Sequence, residues 1–323
     1  MDTMSTILDG HRARGAFVLR CVMAPPWSVR IADRAAVGML VMVRGHAMLL
    51  RDGDDPVRLE AGDVAIVKGP RPYTLADDPG TPPTVVVGPG QHCHTLDGAD
   101  VSTTLGLGLR TWGNDPDGPC AFLTGTYELP SQVTGRLLAA IPDLVVLPGV
   151  DRDAALVRVL ADEFTRDAPG QDVVLDRLVD LVLIGTLRAW FARPDSGAPA
   201  WWRAQGDQVV GGALRLIHDR PDEPWTLDAL AGAVAVSRAT LARRFTALVG
   251  QPPMAYLTEW RMSLAADLLR DTTASVEAVA RQVGYANPFA FSTAFKRHFA
   301  AAPRAFRTAG RTSPLPDGTP VAG

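Results

Sequence analysis

The chain has 323 residues, 47% of them hydrophobic, with 32 basic against 35 acidic side chains and three cysteines. That length holds two domains, and that apolar fraction lets each bury a core, which excludes a disordered chain. No run approaches the roughly 18 consecutive apolar residues of a membrane helix, three cysteines build no disulfide framework, and a net charge of -3 excludes a uniformly basic polyanion binder.

The opening stretch, residues 1–10, lacks the basic-then-apolar layout of a signal peptide, so a cytoplasmic setting with free thiols is expected. Residues 15–128 read mainly as strands. Short apolar runs at 16–23, 37–43, 47–50, 64–67, 84–87, 105–109 and 122–127 alternate with turn signals such as Asp52-Gly53-Asp54-Asp55-Pro56 and Ala61-Gly62-Asp63. Many short strands punctuated by Gly, Pro and Asp predict a sandwich or small barrel. Within this region His92-Cys93-His94 follows Gly88-Pro89-Gly90 in a predicted loop. Imidazole and thiolate are ligands for Zn²⁺ or a soft metal, so His92, Cys93 and His94 form a candidate metal site. Two other readings stand beside it: a redox sensor using Cys93 or Cys120, and a solvated loop with buried structural cysteines.

From Gln132 the texture turns helical. Residues 154–164 place Leu156, Val159, Leu160 and Phe164 at helical spacing, and residues 173–191 do the same with Val174, Leu178, Leu181, Val182, Ile184, Leu187 and Trp190. The second helix is apolar around much of its circumference, which predicts burial against the barrel or a partner chain. Pro194, Gly197, Pro199 and Gly206 mark a linker, residues 207–309 read as helical throughout, and the tail after them is rich in proline. The expected layout is a strand-rich domain at 1–130, a helical segment at 131–192, a linker at 193–206, an all-helical domain at 207–309 and a disordered tail at 310–323. The fold class is α+β.

Charge divides the chain. Residues 207–310 hold 12 basic against 9 acidic side chains, whereas the first 206 residues hold 19 against 25. The basic portion carries the same layout twice. Thr226-Leu227-Asp228 opens a short helix, Val234-Ala235-Val236 turns, and Ser237 to Phe245 begins a second helix; Ser275-Val276-Glu277, Val283-Gly284-Tyr285 and Asn287 to Phe295 repeat it. Each first helix has a hydroxyl N-cap with an acid in its first turn. Ser237 and Asn287 are the N-caps of the second helices, and Pro288 suits N1. The expected buried stripes are Leu241, Phe245, Leu248 and Phe291, Phe295, Phe299. A short exposed helix with Arg and small polar residues at its N-terminal end is what a major-groove reader requires. Residues 254–269, with Leu257, Trp260, Leu264 and Leu268, form a long helix between the copies. Both readers on one DNA face would sit about one turn, roughly 34 Å, apart.

This region resembles the AraC/XylS family of transcription regulators. The resemblance rests on Ser237, Leu241, Arg243-Arg244-Phe245, Gly250, Pro252, Tyr256, Arg261, Ala265, Leu268-Leu269, Ala280, Val283-Gly284-Tyr285, Phe291-Ser292, Phe295-Lys296-Arg297, Phe299, Pro303 and Phe306-Arg307. Tyr285 and Ala300 depart from the usual Phe and Gly. The resemblance implies that Arg238 and Arg243 reach bases or phosphates of one half-site, flanked by Ser237, Ala239, Thr240, Ala242 and Thr246. Phe289, Ser292 and Thr293 would serve the other half-site after Asn287, with Lys296 and Arg297 on phosphate. Phe245, Phe295, Trp260 and Tyr256 read as core.

The strand-rich region resembles the cupin-type sensing domain of such regulators, through Trp27 to Ile31, Gly45-His46-Ala47, Leu59 to Val67 and Gly125-Thr126-Tyr127. No His-x-His pair with a later Glu stands at cupin catalytic spacing, and Arg71-Pro72-Tyr73 follows the Gly-Asp-Val strand, which argues against metal catalysis. Implied partners are double-stranded DNA, RNA polymerase, an unidentified small-molecule effector and a second copy of the chain, with no membrane. The one candidate cofactor is a metal ion such as Zn. The alternatives are a cupin-fold metal enzyme fused to a DNA-binding module and a constitutive DNA-binding protein.

Overall fold

The computed structural model describes residues 17–108, 110–127, 135, 139–149, 154–164, 166 and 168–311. Of the tail expected at 310–323, the first two residues end a helix instead and 312–323 lie outside the described residues. Among the described residues two compact units separate, one of residues 17–127 and 141–196 and the other chiefly of residues 197–311.

The first unit is two sheets. One holds seven strands in the order β10 (Gly106–Gly108), β11 (Thr111–Gly113), β1 (Phe17–Met23), β12 (Cys120–Tyr127), β3 (Val37–Arg44), β6 (Val64–Lys68) and β13 (Leu144–Leu147). The other holds β5 (Val57–Glu60), β4 (His46–Arg51), β7 (Tyr73–Ala76), β2 (Ser28–Ile31), β8 (Val85–Val87) and β9 (Cys93–Thr95). One apolar core draws on both, with Cys21, Leu40, Met42 and Phe122 from the first and Val29, Leu49, Leu59 and Leu75 from the second. Register sets a row across the first sheet: Trp112 pairs with Cys21, Cys21 with Phe122 and Phe122 with Met42, all facing inward. Trp27 stacks on Phe122 with ring centroids 5.8 Å apart. The expected barrel or sandwich is therefore present.

Strand β3 is buried on both faces, with Met39 and Val41 as inaccessible as Leu40 and Met42. The outer face is covered by helices α1 (Ala154–Glu163) and α2 (Gln171–Ala192), which contact β3 and β13 respectively. On β12 a Cβ at Gly125 would meet Val179 of α2 at 3.6 Å, so the helix lies close over the strand. Leu175, Val179, Val182 and Leu187 are buried, while Val173, Val174 and Leu181 stay exposed. The join between β5 and β6 is the expected strand–turn–strand: Asp63 accepts from Glu60 N at 2.9 Å, and Gly62 supplies φ +95.

Four expectations are corrected. Cys93 and His94 are not in a loop but in β9, which pairs antiparallel with β8, and only His92 stays outside the strand. The helical texture after Gln132 conceals β13, a Leu-Val-Val-Leu run that pairs with β6. The stretch expected as a linker contains α3 (Ala200–Arg203) and a helical turn at Ala204–Gly206, with Ala204 buried. Leu248 is 40% exposed instead of completing the buried stripe, because only Leu241 and Phe245 of that helix face the core.

The second unit continues with α4 (Gln208–Asp219), α5 (Leu227–Ala233), α6 (Arg238–Val249), α7 (Pro253–Asp271), α8 (Val276–Gln282), α9 (Pro288–Phe299) and α10 (Pro303–Arg311). Helix α7 is a spine shared by both halves. Its N-terminal part serves the first: Tyr256 packs edge-on against Phe245, and Trp260 lies 4.4 Å from the buried His218 of α4. His218 Nε2 and the Tyr256 hydroxyl are 2.9 Å apart and hydrogen-bonded. Its C-terminal part serves the second, where Met262, Ala265, Ala266 and Leu269 share a core with Val279, Val283, Phe291 and Phe295. Core placement of Phe245, Phe295, Trp260 and Tyr256 is as expected.

Candidate nucleic-acid interface

Both predicted pairs of helices form, and the capping chemistry fixes where each begins. Thr226 Oγ1 accepts from Ala229 N at 3.1 Å and Ser275 Oγ from Ala278 N at 3.1 Å, starting α5 and α8. Ser237 Oγ accepts from Thr240 N at 3.2 Å, starting α6. Asn287 Oδ1 accepts from Phe289 N at 2.8 Å, starting α9 with Pro288 in its first turn. A side-chain oxygen satisfies an otherwise orphaned amide at each helix start.

Those caps engage two of the expected site residues. The Ser237 and Asn287 side chains are engaged by their own helices, and the Thr240 hydroxyl lies 2.9 Å from Ser237 Oγ. What α6 leaves outward is Arg238, Ala239, Arg243 and Thr246, all exposed, with Ala242 half-buried. Among the described residues Arg243 makes no ion pair. Arg238 stands 3.7 Å from Asp228, with both side chains more than half exposed, a pair worth little in water. The adjacent Arg244 turns the other way, its Nη2 donating to Asp207 Oδ2 at 2.5 Å. Asp207 is also the N-cap of α4. The Val210 amide, with help from Arg244, holds its carboxyl below the usual range. Of two neighbouring arginines, one is thus structural and one is free to meet a ligand.

On α9 the outward set is Phe289, Thr293, Lys296 and Arg297, exposed, with Ser292 half-buried. Phe289 is 82% exposed. Together with Ala302 these five line an open groove of about 580 Å³.

Two arginines absent from the expected site tie elements of this unit together. Arg261 on α7 donates through Nε to the Pro221 carbonyl at 2.7 Å and through Nη2 to the Glu223 carbonyl at 2.6 Å, both in the loop before α5. The same guanidinium lies over the Tyr285 ring, 5.7 Å from its centroid, in the turn before α9. It therefore ties the first half to the second. Arg307 of α10 donates to the Leu269 carbonyl at 3.1 Å and the Ala274 carbonyl at 2.5 Å, closing α10 over the α7–α8 turn. Linear spacing carries no signal for either tie, because the acceptors are backbone oxygens more than 30 positions away.

The metal candidate does not assemble. A strand sends successive side chains to opposite faces, so Cys93 packs toward the core and the His94 side chain lies on the opposite face of the strand. Among the described residues no group of three or more His, Cys, Asp or Glu side chains is placed to hold a metal ion. The thiols are grouped instead: Cys21 lies within electrostatic reach of both Cys93 and Cys120. Burial pushes Cys93 and Cys120 up to about 11 and raises Cys21 further.

No helix among the described residues is long and apolar enough to cross a membrane. A cupin family profile matches residues 2–192, and a helix-turn-helix domain profile matches residues 230–309. A putative AraC-like transcription regulator of Streptomyces lividans is 31% identical over 312 residues, covering 95% of this chain and 98% of that protein. The HTH-type transcriptional regulator AlkR of Acinetobacter baylyi is 25% identical, covering 95% of this chain and 99% of that protein. Among solved structures, the DNA-binding domain of AdpA in complex with a target DNA is 30% identical, covering 32% of this chain and 94% of that chain with a TM-score of 0.31.

Proposed function

The chain belongs to the AraC-like transcription regulators, joining a cupin domain to a helix-turn-helix domain, and from that premise we propose that α6 and α9 read a defined duplex sequence under control of a signal received by the cupin domain. The observation that carries the reading is the pair of capped helices whose outward faces hold Arg238 and Arg243 in one copy and Phe289, Thr293, Lys296 and Arg297 in the other. Arg presents paired donors to a guanine edge, and Lys or Arg lower on a helix neutralise phosphate. Ala239, Ala242 and Thr246 keep the α6 face small enough to approach the groove floor, and Ser292 does so on α9.

Selection of bound duplexes from a random library with the full chain tests this. The expected outcome is one enriched motif with two major-groove half-sites, bound at least a thousandfold tighter than unselected DNA, as is usual for specific binders. Equal binding of all duplexes would support a constitutive, architectural protein, and no binding would end the reading.

Three further parts belong to the proposal. The chain acts by binding and not by catalysis, since its curated relatives carry regulator names. It works in the cytoplasm as a homodimer through α2, whose exposed Val173, Val174 and Leu181 form an apolar face, and its transcriptional output passes through RNA polymerase. The signal is a small molecule or an oxidant. The burial that pushes Cys93 and Cys120 up to about 11 keeps those thiols protonated, which favours the small molecule.

A further inference from the structure

We infer that the two halves of the DNA site are read by different chemistry: arginine donors on α6 against guanine, and an apolar patch of Phe289 and the Thr293 methyl on α9 against thymine 5-methyl groups. This rests on the reading of α6 and α9 as major-groove helices. It adds the identity of the bases.

The asymmetry begins with what each outward face can offer. Helix α6 exposes Arg238 and Arg243, whose guanidinium groups carry several N–H donors each. Guanine O6 and N7 are the acceptor pair that matches them. The outward face of α9 begins with a phenyl ring that has no donor or acceptor at all. Phe289 is more exposed than any other large hydrophobic among the described residues, at 82%. One turn later, Thr293 Oγ1 donates back to the Phe289 carbonyl at 3.0 Å. That bond occupies the hydroxyl within the helix and leaves the methyl as the part of Thr293 without a polar partner. Residues four apart on a helix are neighbours on one face, so ring and methyl make one apolar patch.

The flank of the patch is cationic. Lys296 and Arg297 line the same open groove as Phe289 and Thr293. An occupant must therefore combine a small apolar knob with anionic oxygens about it. In the major groove only thymine presents a methyl group, and the duplex backbone supplies the phosphates. A protein surface with acidic side chains would satisfy the charge but not the repeated fit of a methyl next to a rigid ring at the N-terminal end of a capped helix.

Uracil differs from thymine only by that methyl, so it isolates the contact. The duplex recovered by selection with the full chain is resynthesised with each thymine replaced in turn by uracil, and affinity is measured for the wild type, Phe289→Ala and Phe289→Leu. The wild type should lose roughly three- to tenfold at one or two thymines, all within a single half-site, as expected for removal of one buried methyl. Phe289→Ala should bind the thymine duplex more weakly and show no further loss on the uracil duplex. Phe289→Leu should keep part of the discrimination. Because the ring is exposed, none of these variants should lower the melting temperature. Equal binding of thymine and uracil duplexes by the wild type at every position, or a uracil penalty that persists in Phe289→Ala, would overturn the inference while leaving sequence-specific binding intact. Failure to recover any preferred duplex would instead remove the DNA reading on which it rests.

Discussion

A single methyl group placed on Gly284 should unlock the second half of the DNA-binding unit. Gly284 sits at φ +81, where an alanine is disfavoured by about 1–2 kcal/mol. The equivalent turn residue of the first half is already Ala235 at φ +56, exposed, so the backbone conformation alone is tolerated. Crowding decides the difference. A Cβ at Gly284 would stand 2.8 Å from the Asp222 carbonyl oxygen and 2.6 Å from Arg261 Nη2. Relief requires the guanidinium to withdraw from the Glu223 carbonyl, and a charged hydrogen bond of this kind is worth about 1.5–3 kcal/mol. Stiffening of the unfolded chain returns about 0.4–1 kcal/mol, leaving a net destabilisation of about 2–4 kcal/mol. Hydrogen–deuterium exchange reads this locally: amides of α8 and α9 should open about 30- to 900-fold more often, with those between β1 and α2 unchanged. Adding Arg261→Ala to Gly284→Ala should cost less than the sum of the two single changes, because the clash partner is gone. Exchange of α8 and α9 within about threefold of wild type would refute the role given to this contact.

Other substitutions separate the roles assigned to individual side chains. Arg243→Ala should weaken binding to the selected duplex by about 1–3 kcal/mol while leaving affinity for random DNA nearly unchanged, whereas Lys296→Ala should weaken both alike and reduce the salt slope by about one, both measurable by fluorescence anisotropy across ionic strength. Ala300 caps α9 at φ +56, where glycine is preferred, so Ala300→Gly should raise stability by about 0.5–1 kcal/mol in chemical denaturation, the left-handed strain relieved less the added freedom of the unfolded chain. With Cys93 and Cys120 pushed up to about 11, only about one thiol in ten thousand is ionised at pH 7. Alkylation of the native protein should therefore be slow there and quicken about tenfold per pH unit toward pH 10. Rapid labelling of Cys93 at pH 7 would contradict the burial that sets this value.

Local chemistry explains which parts of the fold could be read from sequence. The four caps at Thr226, Ser237, Ser275 and Asn287 act on amides two or three positions ahead, so linear spacing reveals them. The strands β3 and β6 announce themselves as apolar runs because both faces are covered. Strand β13 was hidden by the helical pattern around it, although Pro142 and Pro148 bracket its Leu-Val-Val-Leu run. Strand β9 was hidden by the glycines before it. The grouping of Cys21, Cys93 and Cys120 depends on bringing β1, β9 and β12 to one interior, which only the sheet topology does. The divergence of Arg243 from Arg244 could be anticipated from helix periodicity, but the partner of Arg244, Asp207, lies 37 positions away.

The account stands or falls on two reader helices meeting one duplex. Dimethyl-sulfate and hydroxyl-radical footprinting of the full chain on its selected duplex tests that directly. It predicts two protected major-groove patches about one helical turn apart, with guanine protection concentrated in one and lost selectively in Arg243→Ala. A single patch, or two patches that Arg243→Ala and Lys296→Ala weaken identically, would contradict it.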